Sequence, residues 1–441
     1  SEWIVEGEPT LDLSHVDIAR FHHFQTNKKY LKDRTPEILG LHYKPDWPHY
    51  QMETSRNIRK SSLHDRWASI GASFGEGAGW ERPMWFTEPG GSVDNVYSHT
   101  KPNWFKYTEM ECFAARKTAI LLDQSSFGKH LIQGKGSLIA LQQMCSGNID
   151  VEKGKVVYTH MLNSKGGIEC DITINRMDEH VFLIISSATT HARDKSWIER
   201  HIGEDNFTLT DVTSGYAVLS LQGPNSRSIL REISNSNLDN EAFPFSTSQE
   251  IELGYAKVIA NRLTYVGELG WELHIPTEFA QHVFDKIWKA GDSFGLKAAG
   301  YHALEHLRSE RAYREYELDL TPEDTPYEAG LGFTVSLDKK TPFKGQDALI
   351  KQKEQKVLKK RLVMFKLKDP QAVLFHEEPI KLNDKIVGYI SSGAYAFNLN
   401  CSVGMGYVRH PEGVTKDLLE SGNWEIEIAG KNYLADASLK A

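Results

Sequence analysis

Apolar and polar residues alternate most clearly over Trp271-Glu272-Leu273-His274-Ile275. Trp271, Leu273 and Ile275 fall on one face of a predicted strand, and Glu272 and His274 fall on the other. Leu263 and Tyr265 lead into this strand through Gly267-Glu268-Leu269-Gly270, whose two glycines permit a reversal that residues with a Cβ resist. The pattern therefore predicts a hairpin over 262–275. Glu272 sits between apolar neighbours, where a desolvated carboxylate needs a donor. A solvent-facing acid on an edge hairpin fits the same letters. A second alternation, Ile168-Glu169-Cys170-Asp171-Ile172-Thr173-Ile174, follows a glycine turn over 163–167 and sets Glu169, Asp171 and Thr173 on one face. That face is either the wall of a polar pocket or the wet side of an edge strand.

Elsewhere the periodicity predicts helices over 107–117, 137–145, 190–201, 226–233, 278–290 and 346–360. It predicts strands over 119–123, 156–161, 168–175, 182–186 and 216–221. Strand hairpins interleaved by single helices point to an α+β fold rather than a doubly wound parallel sheet. From residue 362 onward, short alternating runs at 362–365, 386–390, 403–408 and 424–428 are spaced by Gly, Asn, Asp and Pro, as in a small antiparallel β-barrel. Residues 1–95 carry neither period and read as connecting material that opens on the end of an amphipathic helix over 1–8, so the chain is expected to have lost its beginning. The glycines of GASFGEGAGW superficially resemble a phosphate-cradling loop. No strand is predicted before them, however, and Trp80 stands where GxGxxG needs its last glycine, so this stretch reads as a loop packing Trp80. A Pro/Gly/Ser/Asn-rich segment over 88–103 marks a boundary. The expected division is 1–95, 96–350 and 351–441.

A chain of 441 residues exceeds one ordinary core, and 40% hydrophobic with 25% charged residues describes a globular protein. A net charge of −8 argues against nucleic acid as the main partner. Cys112, Cys145, Cys170 and Cys401 have no metal-site spacing and read as free thiols of a reducing compartment, cytoplasmic or, in a eukaryote, the mitochondrial matrix. No apolar run approaches membrane-spanning length, so no membrane partner is expected. His302-Ala303-Leu304-Glu305-His306 matches HxxEH, which sets two histidines on one helix face with a carboxylate between them. It lacks an evident third ligand and is crowded by Arg308, Glu310 and Arg311, so an amphipathic helix is the ordinary reading and no metal is assigned.

The stretches DQSSFGKHLIQG, YTHMLNSKGGIECDITI, YAVLSLQGPNSRSIL, LTYVGELGWELHIP, AGYHALEHLRSERAYR and TPEDTPYEAGLGFTVSLDKKTPFKGQDAL, in this order, resemble the aminomethyltransferase family, the glycine-cleavage T-proteins and their relatives. GELGWELHIP and the leading ETSRNIRKSSLHDRWASIGASFGEGAGWERPMWF are more similar to the C-terminal halves of sarcosine and dimethylglycine dehydrogenases, and EWIVEGEPTLDLSHVDIARF resembles the tail of their FAD domain. The resemblance implies a multi-subdomain folate-binding fold with the C-terminal barrel, and FAD only on a missing or separate domain or subunit. It implies a tetrahydrofolate site in which Asp171 is the catalytic acid near the folate nitrogens, Tyr265 and Glu272 hold the pterin, and Thr173 and Phe333 complete the pocket. A pterin offers an adjacent N–H and amino group that one carboxylate accepts together, so Glu272 would gain its donors. The implied product is 5,10-methylenetetrahydrofolate, formed from the one-carbon unit of a methylamine such as sarcosine or dimethylglycine. T-proteins carry an arginine where Leu304 stands, as the dehydrogenase-like relatives do not, which places lipoyl-carrier chemistry in doubt. A non-catalytic subunit of the pyruvate dehydrogenase phosphatase regulatory type shares the architecture and stays open as the alternative, as does a T-protein aminomethyltransferase.

Overall fold

A computed structural model describes every residue except 1, 8, 10, 45–46, 202–205, 356 and 441. Among the described residues, thirteen strands precede the C-terminal region. They are β1 (Ala72–Gly77), β2 (Trp80–Phe86), β3 (Ala119–Asp123), β4 (Gly128–Gln133), β5 (Val156–Leu162), β6 (Ile168–Asp178), β7 (Val181–Ser186), β8 (Thr208–Asp211), β9 (Tyr216–Gln222), β10 (Ser248–Leu253), β11 (Ala256–Asn261), β12 (Gly270–Pro276) and β13 (Leu296–Ala298). β1 and β2 form an antiparallel pair, and the others form a five-stranded sheet of order β5-β6-β7-β4-β8 and a six-stranded sheet of order β10-β11-β12-β9-β3-β13. The C-terminal region closes six strands, β14 (Lys360–Leu367), β15 (Pro379–Leu382), β16 (Lys385–Ala396), β17 (Cys401–Arg409), β18 (Trp424–Ile428) and β19 (Lys431–Ser438), into the antiparallel barrel that the short alternating runs predict. The fold is α+β, as expected. Among the described residues, no helix is long and apolar enough to cross a membrane, and the four cysteines are buried and free.

Each sheet buries one apolar face under helices. Ile168, Cys170, Ile172 and Ile174 of β6 are at most 2% exposed; the last three pack with Leu141, Met144 and Ile198 of the helices Ser137–Met144 and His191–His201, and Ile168 packs with Leu320 and Leu349. Trp271, Leu273 and Ile275 of β12 are fully buried against Val283, Phe284 and Ile287 of the helix Ala280–Gly291, whose buried positions recur at the helical period. Each such side chain stabilises the fold by about 1.5–3 kcal/mol through burial. The second face of each sheet is largely polar, and these two faces meet.

Several elements depart from the pattern. The predicted hairpin over 262–275 is a loop over 262–269 followed by β12, and β12 lies inside its sheet between β11 and β9 rather than at an edge. GASFGEGAGW supplies β1 and the start of β2, with the Arg59 guanidinium 4.2 Å above the Trp80 ring. The expected connecting material contains the helix Lys28–Leu41, whose one buried residue is Arg34, bonded to Glu76 at 3.1 Å and to the Thr54 carbonyl at 2.8 Å. A helix anchored by a buried cation rather than an apolar stripe shows no hydrophobic period. The helix predicted over 346–360 stops at Lys353 because beyond Leu349 it has little apolar surface to bury. Lys360 instead starts β14, where Asp324 holds it at 2.6 Å.

The helix Tyr301–Glu310 joins the sheets to the barrel through Arg308, which is fully buried. Its guanidinium donates to Asp319 at 2.7 Å, to Ser392 of β16 at 3.0 Å, to the Tyr313 carbonyl at 3.1 Å and to Glu305 at 3.0 Å. Arg308→Met strands the buried Asp319 carboxylate and is expected to cost about 3–5 kcal/mol of stability. A urea unfolding midpoint equal to wild type would show that the network contributes nothing net.

Candidate functional site

Strand register assembles the polar faces. On the five-stranded sheet, Tyr158 of β5 stands opposite Thr173 of β6, Thr173 opposite Ile185 of β7, and Ile185 opposite Lys129 of β4. In the next row of the same face, His160 stands opposite Asp171. On the six-stranded sheet, Glu272 lies between Asn261 of β11 and Ser220 of β9. The faces meet where Asn175 Nδ2 donates to Asn261 Oδ1 at 2.8 Å, with the Asn261 amide in turn 3.0 Å from His274 Nε2. Asn175, Asn261 and His274 are all essentially buried.

Asp171 is half-buried, its Oδ1 3.1 Å from His160 Nε2 at ion-pair distance but outside hydrogen-bond geometry. His160 is fully buried and braced by Thr334, whose hydroxyl is 3.0 Å from Nδ1, and by Tyr158, whose hydroxyl is 3.3 Å from Nε2. Burial, reinforced by the Asp171 charge, pushes the Tyr158 hydroxyl well above its usual range and keeps it protonated. Thr173 occupies the adjacent position on the same face. Phe333, on the short turn Gly332–Thr334, is 78% exposed with its ring 6.5 Å from that of Tyr158, so it stands at the rim.

Tyr265 belongs to the loop before β12. There the Thr264 hydroxyl accepts the N–H groups of Val266, Gly267 and Glu268, and Gly267 takes a left-handed conformation at φ 77°. The Tyr265 hydroxyl donates to the Arg314 carbonyl at 2.7 Å, and its ring stacks on Tyr313 with centroids 5.9 Å apart. A cavity of about 360 Å³ opens along this loop, lined by Leu263, Thr264, residues 267–270 and Tyr313. A larger one, about 550 Å³, lies apart from both polar faces, between the turn after Tyr327 and the barrel.

Glu272 is half-buried and accepts no hydrogen bond from any described residue; burial alone raises its carboxyl to about 7. On the facing sheet, Lys129 of β4 is fully buried, donating to the Ser125 and Phe127 carbonyls at 2.9 and 2.7 Å, and burial lowers it to about 7. His274 is pushed down to about 3 by burial and then by the Lys129 charge, so it is neutral. A half-buried, unpartnered carboxylate on a polar face is a receptor for a ligand carrying N–H donors.

The structure thus brings Asp171, Thr173 and Phe333 to one wall, around Tyr158, and places Glu272 and Tyr265 on the facing sheet and the loop that leads into it. Sequence reading missed Lys129, Tyr158, His160, Asn175, Asn261 and Arg314. Tyr158 and His160 alternate within the strand predicted over 156–161, a signal of a polar face; Arg314 gives no comparable signal. The HxxEH residues are engaged elsewhere: His302 stacks on Trp104 at 5.0 Å, His306 Nδ1 lies 3.0 Å from the Tyr395 carbonyl, and Glu305 pairs with Arg308.

Glu272 carries a pH signature. Its folded value, about 7, lies above the ordinary 4.5, so the folded chain holds a proton that the unfolded chain releases, and stability falls as pH rises from 4.5 through 7. Glu272→Gln removes this dependence. The ligand-free variant is expected to melt above wild type at pH 8 by the equivalent of about 1–3 kcal/mol, with little difference at pH 5. Equal differences at both pH values would refute the desolvation of Glu272.

Residues 63–339 match the GCVT N-terminal domain, 360–441 the glycine cleavage T-protein C-terminal barrel domain, and 6–61 the FAD dependent oxidoreductase central domain. The chain is 39% identical to the 4-methylaminobutanoate oxidase (formaldehyde-forming) of Paenarthrobacter nicotinovorans over 99% of its own length and 52% of that protein. It is 33% identical to mitochondrial sarcosine dehydrogenase of Mus musculus, covering 52% of it, and so spans about half the length of these two relatives. With the aminomethyltransferase of Halothermothrix orenii it shares 34% identity over 80% of this chain and 92% of that one. The crystal structure of glycine cleavage system aminomethyltransferase T from Bartonella henselae has the same fold, with a TM-score of 0.73 and 22% identity over 87% of this chain and 98% of that one. Domain matches along most of the chain, together with the near full-length aminomethyltransferase alignment, establish that the chain belongs to the glycine-cleavage T-protein family.

Proposed function

We propose that this chain is the folate-binding, one-carbon-accepting part of an enzyme that oxidatively demethylates a methylamine of the sarcosine or dimethylglycine type, and that it captures the methylene group as 5,10-methylenetetrahydrofolate. The observation that carries this reading is Glu272: a half-buried carboxylate with no hydrogen-bond partner among the described residues, on a polar sheet face that meets the face bearing Asp171. The donor set fits a folate. Glu272 accepts from the adjacent N–H groups of the pterin, Tyr265 presents a stacked aromatic ring beside it, and Thr173 and Phe333 bound the far side. Tetrahydrofolate, when bound, supplies the amine nitrogens that take up the one-carbon unit.

Asp171 in this reading stabilises positive charge at the reacting nitrogen and exchanges its proton, with His160 fixing the carboxylate. The buried hydroxyls of Tyr158 and Tyr265 stay protonated and orient rather than transfer. Residues 96–350 would then form the folate unit, with the barrel over 351–441 closing it. The oxidising chemistry would reside on an FAD-binding domain or subunit, in keeping with the match of residues 6–61 to part of an oxidoreductase domain. Titration of this chain with tetrahydrofolate by calorimetry is expected to show saturable binding at one site. Absence of binding at every concentration would remove this reading and favour a regulatory subunit.

A further inference from the structure

A second cluster of chemistry-bearing side chains lies outside the polar faces. His130 of β4 and Asp211 of β8 stand opposite one another in the antiparallel register, and His191 begins the helix His191–His201 beside them. One ligand atom from each lies within 4.8 Å of the other two. His130 is fully buried, yet among the described residues neither ring nitrogen has a hydrogen-bond partner, and His191 Nδ1 is buried and equally bare. Each buried polar atom left unsatisfied is costly, and an imidazole with both nitrogens unpaired is rare in a folded core. His22, from the N-terminal segment, covers the cluster with its ring 5.2 Å from that of His191 and its buried Nε2 also unpartnered.

The spacing fits a metal ion. His191 Nε2 lies 3.2 Å from Asp211 Oδ2. Two ligands held at 2.0–2.1 Å by one tetrahedral ion are about 3.3 Å apart. An Asp211–His191 pair alone accounts for that distance but leaves His130 without a role. Two imidazoles and one carboxylate favour a transition ion over magnesium or calcium, which take oxygen ligands. The nearby cations Arg59, Lys195 and Lys129 further disfavour a weakly held ion. Asp211, 39% exposed at its side chain, provides access from solvent and room for a water ligand. Gly128 keeps the position before Lys129 and His130 open, since a Cβ there would lie 2.7 Å from His191 Cδ2.

We propose that His130, His191 and Asp211 form a binding site for a divalent transition-metal ion of the zinc type, closed by His22, which fastens β4, β8 and the start of the helix His191–His201 to the N-terminal segment. The test uses the untagged chain, freed of metal with a chelator and titrated with Co²⁺ as a spectroscopic stand-in for zinc. One ion per chain is expected, with visible absorption bands of a four- or five-coordinate site and a raised melting temperature. Asp211→Asn and His130→Phe are expected to weaken binding more than roughly 100-fold, beyond what loss of an outer hydrogen bond to a ligand costs, while tetrahydrofolate titration is unchanged in Asp211→Asn. Wild-type chain that takes up no Co²⁺ with such a spectrum overturns the proposal. So does an Asp211→Asn variant that binds it as tightly as wild type.

Discussion

Glu272→Ala is expected to weaken tetrahydrofolate binding roughly 30- to 1000-fold, the equivalent of about 2–4 kcal/mol. The carboxylate sits on a central strand between Asn261 and Ser220 and has no described partner, so its acceptor capacity is free for a ligand. Removing it leaves a ligand's N–H donors buried and unpaired, which costs more than the bonds were worth net. Glu272→Gln keeps the volume but presents one acceptor and one donor where two acceptors are needed, so it should recover only a small part of the affinity. Calorimetry decides. Unchanged affinity in Glu272→Ala would remove the pterin assignment and with it the observation on which the functional reading rests.

The second large effect separates binding from turnover. Asp171→Asn preserves size at a position beside His160, while losing the charge that would stabilise a cationic reacting nitrogen. Methylene transfer is expected to fall by about 100-fold or more, the usual contribution of a positioned acid or base. The folate dissociation constant should move by less than about tenfold, because Glu272 lies on the other sheet. Single-turnover capture of formaldehyde as 5,10-methylenetetrahydrofolate, with the uncatalysed rate subtracted, measures the first quantity. A rate within about threefold of wild type would exclude Asp171 from the chemistry.

The faces of β6 and β12 were legible in the sequence because strand geometry has a period of two and each strand has one strictly apolar side. Ile168, Cys170, Ile172 and Ile174 pointed inward, which left Asp171 and Thr173 on the other side whatever the rest of the chain did. The same local rule placed Trp271, Leu273 and Ile275 in the core and Glu272 opposite them. The barrel was legible for the same reason, from short alternating runs with turn residues between them. The helix Lys28–Leu41 was not, since a buried Arg34 takes the place of an apolar stripe. Tyr265 was read as part of a hairpin because the glycines at 267 and 270 permit a reversal. The Thr264 hydroxyl instead organises a loop there, through backbone bonds that no periodicity records.

By itself, the sequence determined which side chains share a strand face, since that follows from local backbone geometry. It also carried, in the order of its motifs, the resemblance to the T-protein family. Whether Glu272 met water or another sheet was decided only in three dimensions. Placing β12 between β11 and β9 desolvates it, and the Asn175–Asn261 contact brings its face to that of Asp171. The grouping of His130, His191 and Asp211 was equally tertiary. One register and one helix start join residues about 80 positions apart, and no local pattern encodes a separation of that length.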